Sequence, residues 1–178
     1  MNPLENLIRE MIAENGPMSL ETYMTLALAH PVHGYYASKM PLGKSGDFIT
    51  APEISQMFGE LIGLWCVAVW RAMGEPQPFL FVELGPGRGS LMADALRAAR
   101  VAPDFLGAID LNLVETSEVL QRSQREALKN SRVAASWRKT AEELPNGPAI
   151  IVANEFFDCL PVRHFVRGPV GWRERLVG

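Results

Sequence analysis

Residues 79–98 (FLFVELGPGRGSLMADALRA) constrain the fold of this chain more than any other stretch. Five strand-forming positions, Phe79 to Glu83, run into a turn carrying Gly85, Gly87 and Gly89. A helical pattern follows at once, with Leu91, Ala95 and Leu96 on one side. A strand, a tight glycine turn and a helix in that order open a βαβ unit, which needs a parallel sheet beside it. The downstream sequence repeats the alternation. Residues 109–115 (IDLNLVE) predict a second strand, and Ser117 caps a helix reaching about Lys129. A weak third strand falls near Val133–Trp137. Ala149–Ala153 is a continuous apolar run of the kind a parallel sheet buries. The order β-α-β-α-β-β predicts an α/β fold, a doubly wound Rossmann-like sheet over residues 76–178.

Residues 1–75 read as a helical N-terminal extension. Leu4, Leu7, Ile8, Met11 and Ile12 recur at helical spacing until Gly16-Pro17, and Ser19 opens a second helix. Residues 30–52 (HPVHGYYASKMPLGKSGDFITAP) lose all periodicity, and long irregular segments of this kind are commonly functional. They are expected to form a lid, with Asp47 carried toward the site by a helix starting at about Pro52. Thr50 stands at that helix's cap and Glu53 complements its dipole. From there PEISQMFGELIGLWCVAVWRAMG reads as one long helix, apolar on nearly every side and well buried. The final HFVRGPVGWRERLVG reads as one arm of a hairpin without its return strand. With four or five strands where a doubly wound sheet has six or seven, the chain reads as truncated.

Composition removes several function classes. Lys and Arg number 17 against 20 Asp and Glu, a net charge of -3, which excludes a general nucleic-acid binder. No run approaches the 18 apolar residues of a membrane span, and the N-terminus lacks a signal-peptide pattern. Cys66 and Cys159 form no spaced set, and three histidines add no convincing zinc site. The expectation is a reduced, cytoplasmic, metal-free protein, with Cys66 as a core residue. Gly43-Lys44-Ser45 mimics the end of a P-loop, but Ser38 stands where that motif needs glycine.

The glycine turn then poses a choice of ligand. A dinucleotide fingerprint, G-x-G-x-x-G, needs its third glycine at Ser90; here it stands at Gly89, with an acid upstream at Glu83. E-x-G-x-G-x-G is the loop of class I S-adenosylmethionine methyltransferases. That cofactor has no pyrophosphate for the helix N-terminus to receive, but it has an ammonium for Glu83 to hold. Glu115 ends the second strand, where an acid accepts both ribose hydroxyl protons. A nicotinamide cofactor would use Glu115 in the same way, so an NAD-dependent oxidoreductase stays open, as does a non-catalytic scaffold keeping the fold. The fourth strand runs into Asn154, Glu155, Phe156, Phe157 and Asp158, beyond the carboxyl end of the sheet where ligands bind. Asn154 is assigned to the cofactor, and Glu155 and Asp158 to the acceptor.

In order, HPVHGYY, GDFITAPEISQMFGELIGLW, VELGPGRGSLMADALR, LVETS and ANEFFDCLPV resemble the MidA-like methyltransferase family. The resemblance covers nearly the whole chain. It implies a class I methyltransferase fold with S-adenosylmethionine as cofactor, bound by Gly85, Gly87 and Gly89 with Glu83 and Glu115 as flanking acids. Mitochondrial members of the family are complex I assembly factors that methylate a protein arginine. By likeness, the acceptor is an arginine of a protein such as a complex I subunit, and the eukaryotic compartment is the mitochondrial matrix. Family members are about twice this length, and many carry Ala where this chain has Cys159. For a guanidinium acceptor, the carboxylates of Glu155 and Asp158 would grip the remote nitrogens and leave electron density on the attacking one. Asp47 joins them as a third expected catalytic acid.

Overall fold

The computed structural model describes residues 2–35 and 50–178. Asp47 and most of the 30–52 segment lie outside the described residues, and the lid expectation lies there with them. The chain divides into two units that interleave along the sequence: residues 2–35 with 157–178, and residues 50–156.

The second unit holds a four-stranded parallel sheet: β2 (Phe79–Leu84), β3 (Ile109–Val114), β4 (Ala135–Arg138) and β5 (Ala149–Val152). Their order is β4-β3-β2-β5. β2 lies between β3, register Phe79↔Ile109, and β5, register Leu80↔Ala149. The first crossover steps from β2 to β3 on one side, whereas β5 returns to the other. The order therefore reverses at β2, and a crevice opens beyond the carboxyl ends of β2 and β5. The expected α/β architecture is present, and the β4–β5 connection carries only a short 3₁₀ turn, Ala141–Glu143. Crossovers come from α5 (Ser90–Ala98), α6 (Pro103–Ala108) and α7 (Glu118–Leu128). Only α6 was not visible in the sequence, because six residues are too few to show a period.

Helix formation upstream departs from the single long helix expected. Ser55 is extended (φ -143, ψ 119) and breaks the run into α3 (Ala51–Ile54) and α4 (Gln56–Ala72). Thr50 caps α3 with its backbone carbonyl alone. α4 is not buried all round. Gly59, Gly63, Cys66, Val67 and Trp70 face inward, whereas Met57, Leu61, Leu64 and Trp65 are exposed. The inward face is set by close packing on α5: a Cβ on Gly63 would come 2.4 Å from the Ala95 carbonyl oxygen, and one on Gly59 2.7 Å from Asp94 Cβ. Arg97 fastens the same contact, reaching Glu60 at 3.0 Å on α4 and Asp94 at 2.6 Å on its own helix. Below it, Trp70, Phe79, Phe81 and Phe105 form an aromatic core, with Trp70 edge-on to Phe105 at 5.6 Å. Cys66 sits in this core, and burial pushes its thiol up to about 11, so it is inert at neutral pH.

Because α5 starts at the glycine turn, the α4–α5 contact fixes the direction in which that turn points. Gly63→Leu is expected to cost about 2–3 kcal/mol, since backbone on both helices has to move. Chemical denaturation of the two proteins measures it, and equal midpoints would mean that the helices are not in backbone contact.

In the first unit, α1 (Pro3–Asn15) and α2 (Leu20–Ala29) are the two expected helices, capped by Asn2 and Ser19. β1 (Met18–Ser19) pairs antiparallel with β8 (Leu176–Val177). The C-terminal stretch corrects the unpaired arm read from sequence. β6 (Phe165–Gly168) and β7 (Gly171–Glu174) form a complete antiparallel hairpin, closed by Pro169-Val170 with Gly171 at φ +120. Arg163 grips Glu174 through two hydrogen bonds, of 2.9 and 2.7 Å. The return strand is not evident from sequence because Gly171-Trp-Arg-Glu alternates no more clearly than a loop.

Candidate functional site

The glycine turn adopts the conformation its residues were expected to allow. Gly85, Gly87 and Gly89 have φ of +62, +53 and +87, the left-handed region that a Cβ disfavours. The Gly85 N–H donates to the Val114 carbonyl at 3.1 Å, tying the start of the turn to the end of β3. At Gly85 a Cβ would also meet the Phe156 ring at 2.5 Å, so the bare Cα lets the segment after β5 lie directly on the turn.

A cleft opens at the strand-order reversal. Glu83, Gly85, Gly87, Asn154 and Glu155 line it, together with Glu53, Arg88 and Ser90. Five positions picked from the sequence thus converge. Glu155 is exposed and has φ +50, a left-handed conformation that costs a non-glycine residue about 1 kcal/mol or more and recurs at functional sites. Glu53, read as a dipole partner, instead accepts a 2.7 Å hydrogen bond from the Ser90 hydroxyl across the mouth of the turn. No local pattern could reveal a pair 37 residues apart.

Glu83 is the unusual member. It is 3% exposed, and its Oε2 has no hydrogen-bond partner among the described residues. Desolvation pushes its carboxyl up to about 8. A buried carboxyl without a partner is costly unless something absent from the chain completes it. A ligand with a positively charged, hydrogen-bond-donating group would do so.

Glu115 stands on the far side of the turn, outside the cleft lining. It is 9% exposed; Oε1 accepts the Ser117 N–H at 2.8 Å and Oε2 the Gln124 amide at 3.2 Å. Burial raises its carboxyl, and those hydrogen bonds oppose the rise. Gly89 packs there too, its Cα face closed by Gln124 and Ala127 on α7. Asp158 belongs to the first unit, exposed in the 3₁₀ turn Phe157–Cys159. Sequence reasoning misses Gln124, and the signal that marks it is its place three residues after Gln121, on the helix behind a strand-end acid.

A glycine turn at a switch point, an orphaned acid at the end of the first strand and a held acid at the end of the second define a nucleotide-cofactor-binding α/β domain. Residues 61–178 match a family model described as "Putative S-adenosyl-L-methionine-dependent methyltransferase", and the chain belongs to that family. It is 42% identical over 195 residues to the mitochondrial protein arginine methyltransferase NDUFAF7 of Danio rerio, covering 98% of this chain and 46% of that one. The human NDUFAF7 is 38% identical over 201 residues, covering 99% and 46%. The chain thus spans about half the length of these relatives. Among solved structures it is similar to a COG1565 superfamily member and likely methyl transferase from Burkholderia thailandensis, bound to S-adenosyl-homocysteine. That match has a TM-score of 0.77 and 28% identity, over 97% of this chain and 45% of that one. No helix among the described residues is long and apolar enough to cross a membrane.

Proposed function

We propose that this chain binds S-adenosylmethionine in the β2–β5 crevice and transfers its methyl group to an arginine side chain of a protein, with a respiratory complex I subunit as acceptor. The observation that carries the cofactor assignment is the buried, unpartnered Glu83 Oε2 beside a turn of left-handed glycines. An α-ammonium supplies the donor such an atom lacks, and a pyrophosphate supplies none. When bound, the cofactor supplies an electrophilic methyl on a sulfonium, so no protein nucleophile is required. Glu83 holds the ammonium, Glu115 accepts the ribose hydroxyl protons, and Asn154 borders the same cleft. Glu155, on the lining of that cleft, supplies a carboxylate that grips the guanidinium and directs its charge away from the attacking nitrogen, and the sequence assigns the same kind of role to Asp158 and Asp47. Catalysis is then chiefly alignment. The arginine acceptor and the complex I connection are supported by the names of relatives sharing about 40% identity over nearly all of this chain. Those names also place the relatives in mitochondria; for this chain the proposed compartment remains the cytoplasm.

Calorimetric titration tests the reading: S-adenosyl-homocysteine binds and NAD does not. Binding of NAD alone would replace it with a dehydrogenase. Glu115→Ala is expected to weaken S-adenosyl-homocysteine by about 1–3 kcal/mol, the scale of lost charge-assisted hydrogen bonds. The 2′-deoxyribose analogue should show a similar deficit on the wild type, and normal binding of that analogue would remove Glu115 from the ribose.

A further inference from the structure

We propose that Gln124 is a positioning residue, whose amide locks the glycine turn and the Glu115 carboxylate into one unit so that both meet the cofactor at fixed spacing. The proposal rests on the cofactor reading above. Gln124 is fully buried on α7, 0% exposed, with both amide hydrogens and its carbonyl oxygen engaged. Nε2 donates to the Gly87 carbonyl at 2.8 Å and to Glu115 Oε2 at 3.2 Å. Oε1 accepts the Trp137 indole N–H at 2.8 Å. Two acceptors on one side and one donor on the other settle which way the amide points. Turned over, its oxygen would face a carbonyl and a carboxylate.

Glu115 is correspondingly immobile. Besides Gln124 and the Ser117 N–H, the Gln121 amide, one turn earlier on α7, donates to its carbonyl at 2.9 Å. Each carboxylate oxygen accepts one fixed donor and keeps lone-pair capacity for a hydroxyl. The third partner is anchored as well: the Arg125 guanidinium lies 3.7 Å over the Trp137 ring. The turn also rests on Gln124 itself, since a Cβ at Gly89 would come 3.1 Å from its Cα. A methionine would fill much the same volume. What it would lose is the register between a loop carbonyl and an acid on different strand ends.

The test compares wild type with Gln124→Met, titrating each with S-adenosyl-homocysteine and with its 2′-deoxy analogue. The wild type should prefer the parent ligand by about tenfold, the effect of one charge-assisted hydrogen bond. In Gln124→Met that ratio should fall toward one, because Glu115 Oε2 loses its fixed donor and only Oε1 stays held by the Ser117 N–H. A role confined to stability would weaken both ligands equally, and an unchanged ratio overturns the proposal. A ligand-free readout separates this from the cofactor reading. The Glu115 side-chain carboxyl, followed by carbon NMR, should titrate at higher pH in Gln124→Met, and an unmoved midpoint overturns the clamp whether or not cofactor binds. If Gln124→Met does not fold, the wild type still decides. Its Gln124 side-chain amide protons should exchange slowly and shift on addition of S-adenosyl-homocysteine, whereas fast exchange with no shift refutes it. A wild type that binds no S-adenosyl-homocysteine, with the Glu115 midpoint still moved, overturns the cofactor reading and leaves the clamp standing.

Discussion

Raising the pH from about 4.5 to 8 is expected to destabilise the ligand-free protein, and Glu83→Gln is expected to remove that loss. In the unfolded chain the Glu83 carboxyl has its ordinary value of 4.5, whereas in the folded protein burial pushes it up to about 8. The folded state therefore binds the proton more tightly. The stability this contributes is fully present below pH 4.5 and is lost progressively up to about pH 8. Each pH unit across that window is worth about 1.4 kcal/mol, so the whole loss is roughly 3–5 kcal/mol. Glu115 is raised by the same physics but is unchanged in Glu83→Gln, so the difference between the two melting profiles isolates Glu83. The same shift predicts proton release on binding. An ammonium against Oε2 favours the carboxylate, so S-adenosylmethionine should expel about one proton per site near pH 6.5 and almost none above pH 9. Calorimetry in buffers of different ionisation enthalpy counts those protons. Glu83→Gln should release none and bind at least about 100-fold more weakly, the scale for a buried charge left without its partner. Identical pH profiles for the two proteins would show that Glu83 is ionised and satisfied in the ligand-free state.

Gly85→Val is expected to abolish cofactor binding, with an affinity loss of more than about 100-fold, and to lower stability by about 2–4 kcal/mol. Two separate costs meet at this residue. Its φ of +62 is a region that β-branched residues hardly enter, and its Cβ would stand 2.5 Å from the Phe156 ring. Phe156 has to move its ring to make room, and its chain neighbours Glu155 and Asn154 border the same cleft. A single side chain thus disturbs both strand exits that make the site. Gly74→Val, at φ +86 with no atom near its Cα face, is the control: it bears the backbone strain without the collision. Equal affinity of Gly85→Val and wild type for S-adenosyl-homocysteine would place the cofactor elsewhere.

The elements legible in the sequence are those whose cause lies within a few residues. β2, its glycine turn and α5 follow from an apolar run, three residues free to take positive φ and a helical period, and all three stand where they were expected. The same holds for α7 behind its Ser117 cap and for the apolar strand β5. The strand-end positions of Glu83, Glu115 and Asn154 were legible because they need only a strand and its direction, and their roles there are the proposal made above.

Tertiary structure decided what distance in sequence concealed. The break at Ser55, the exposed face of α4 and the backbone contact at Gly63 depend on where α5 lies, not on the period of α4 itself. β1 found its partner in β8 at the opposite end of the chain. The burial that pushes the Glu83 carboxyl up to about 8, and the amide of Gln124 that joins Gly87 to Glu115, exist only once separate segments have packed. Backbone conformation is a local property and can be read from neighbouring residues. Desolvation and hydrogen-bond partnership are properties of the assembled interior, where groups remote in sequence replace water around one another.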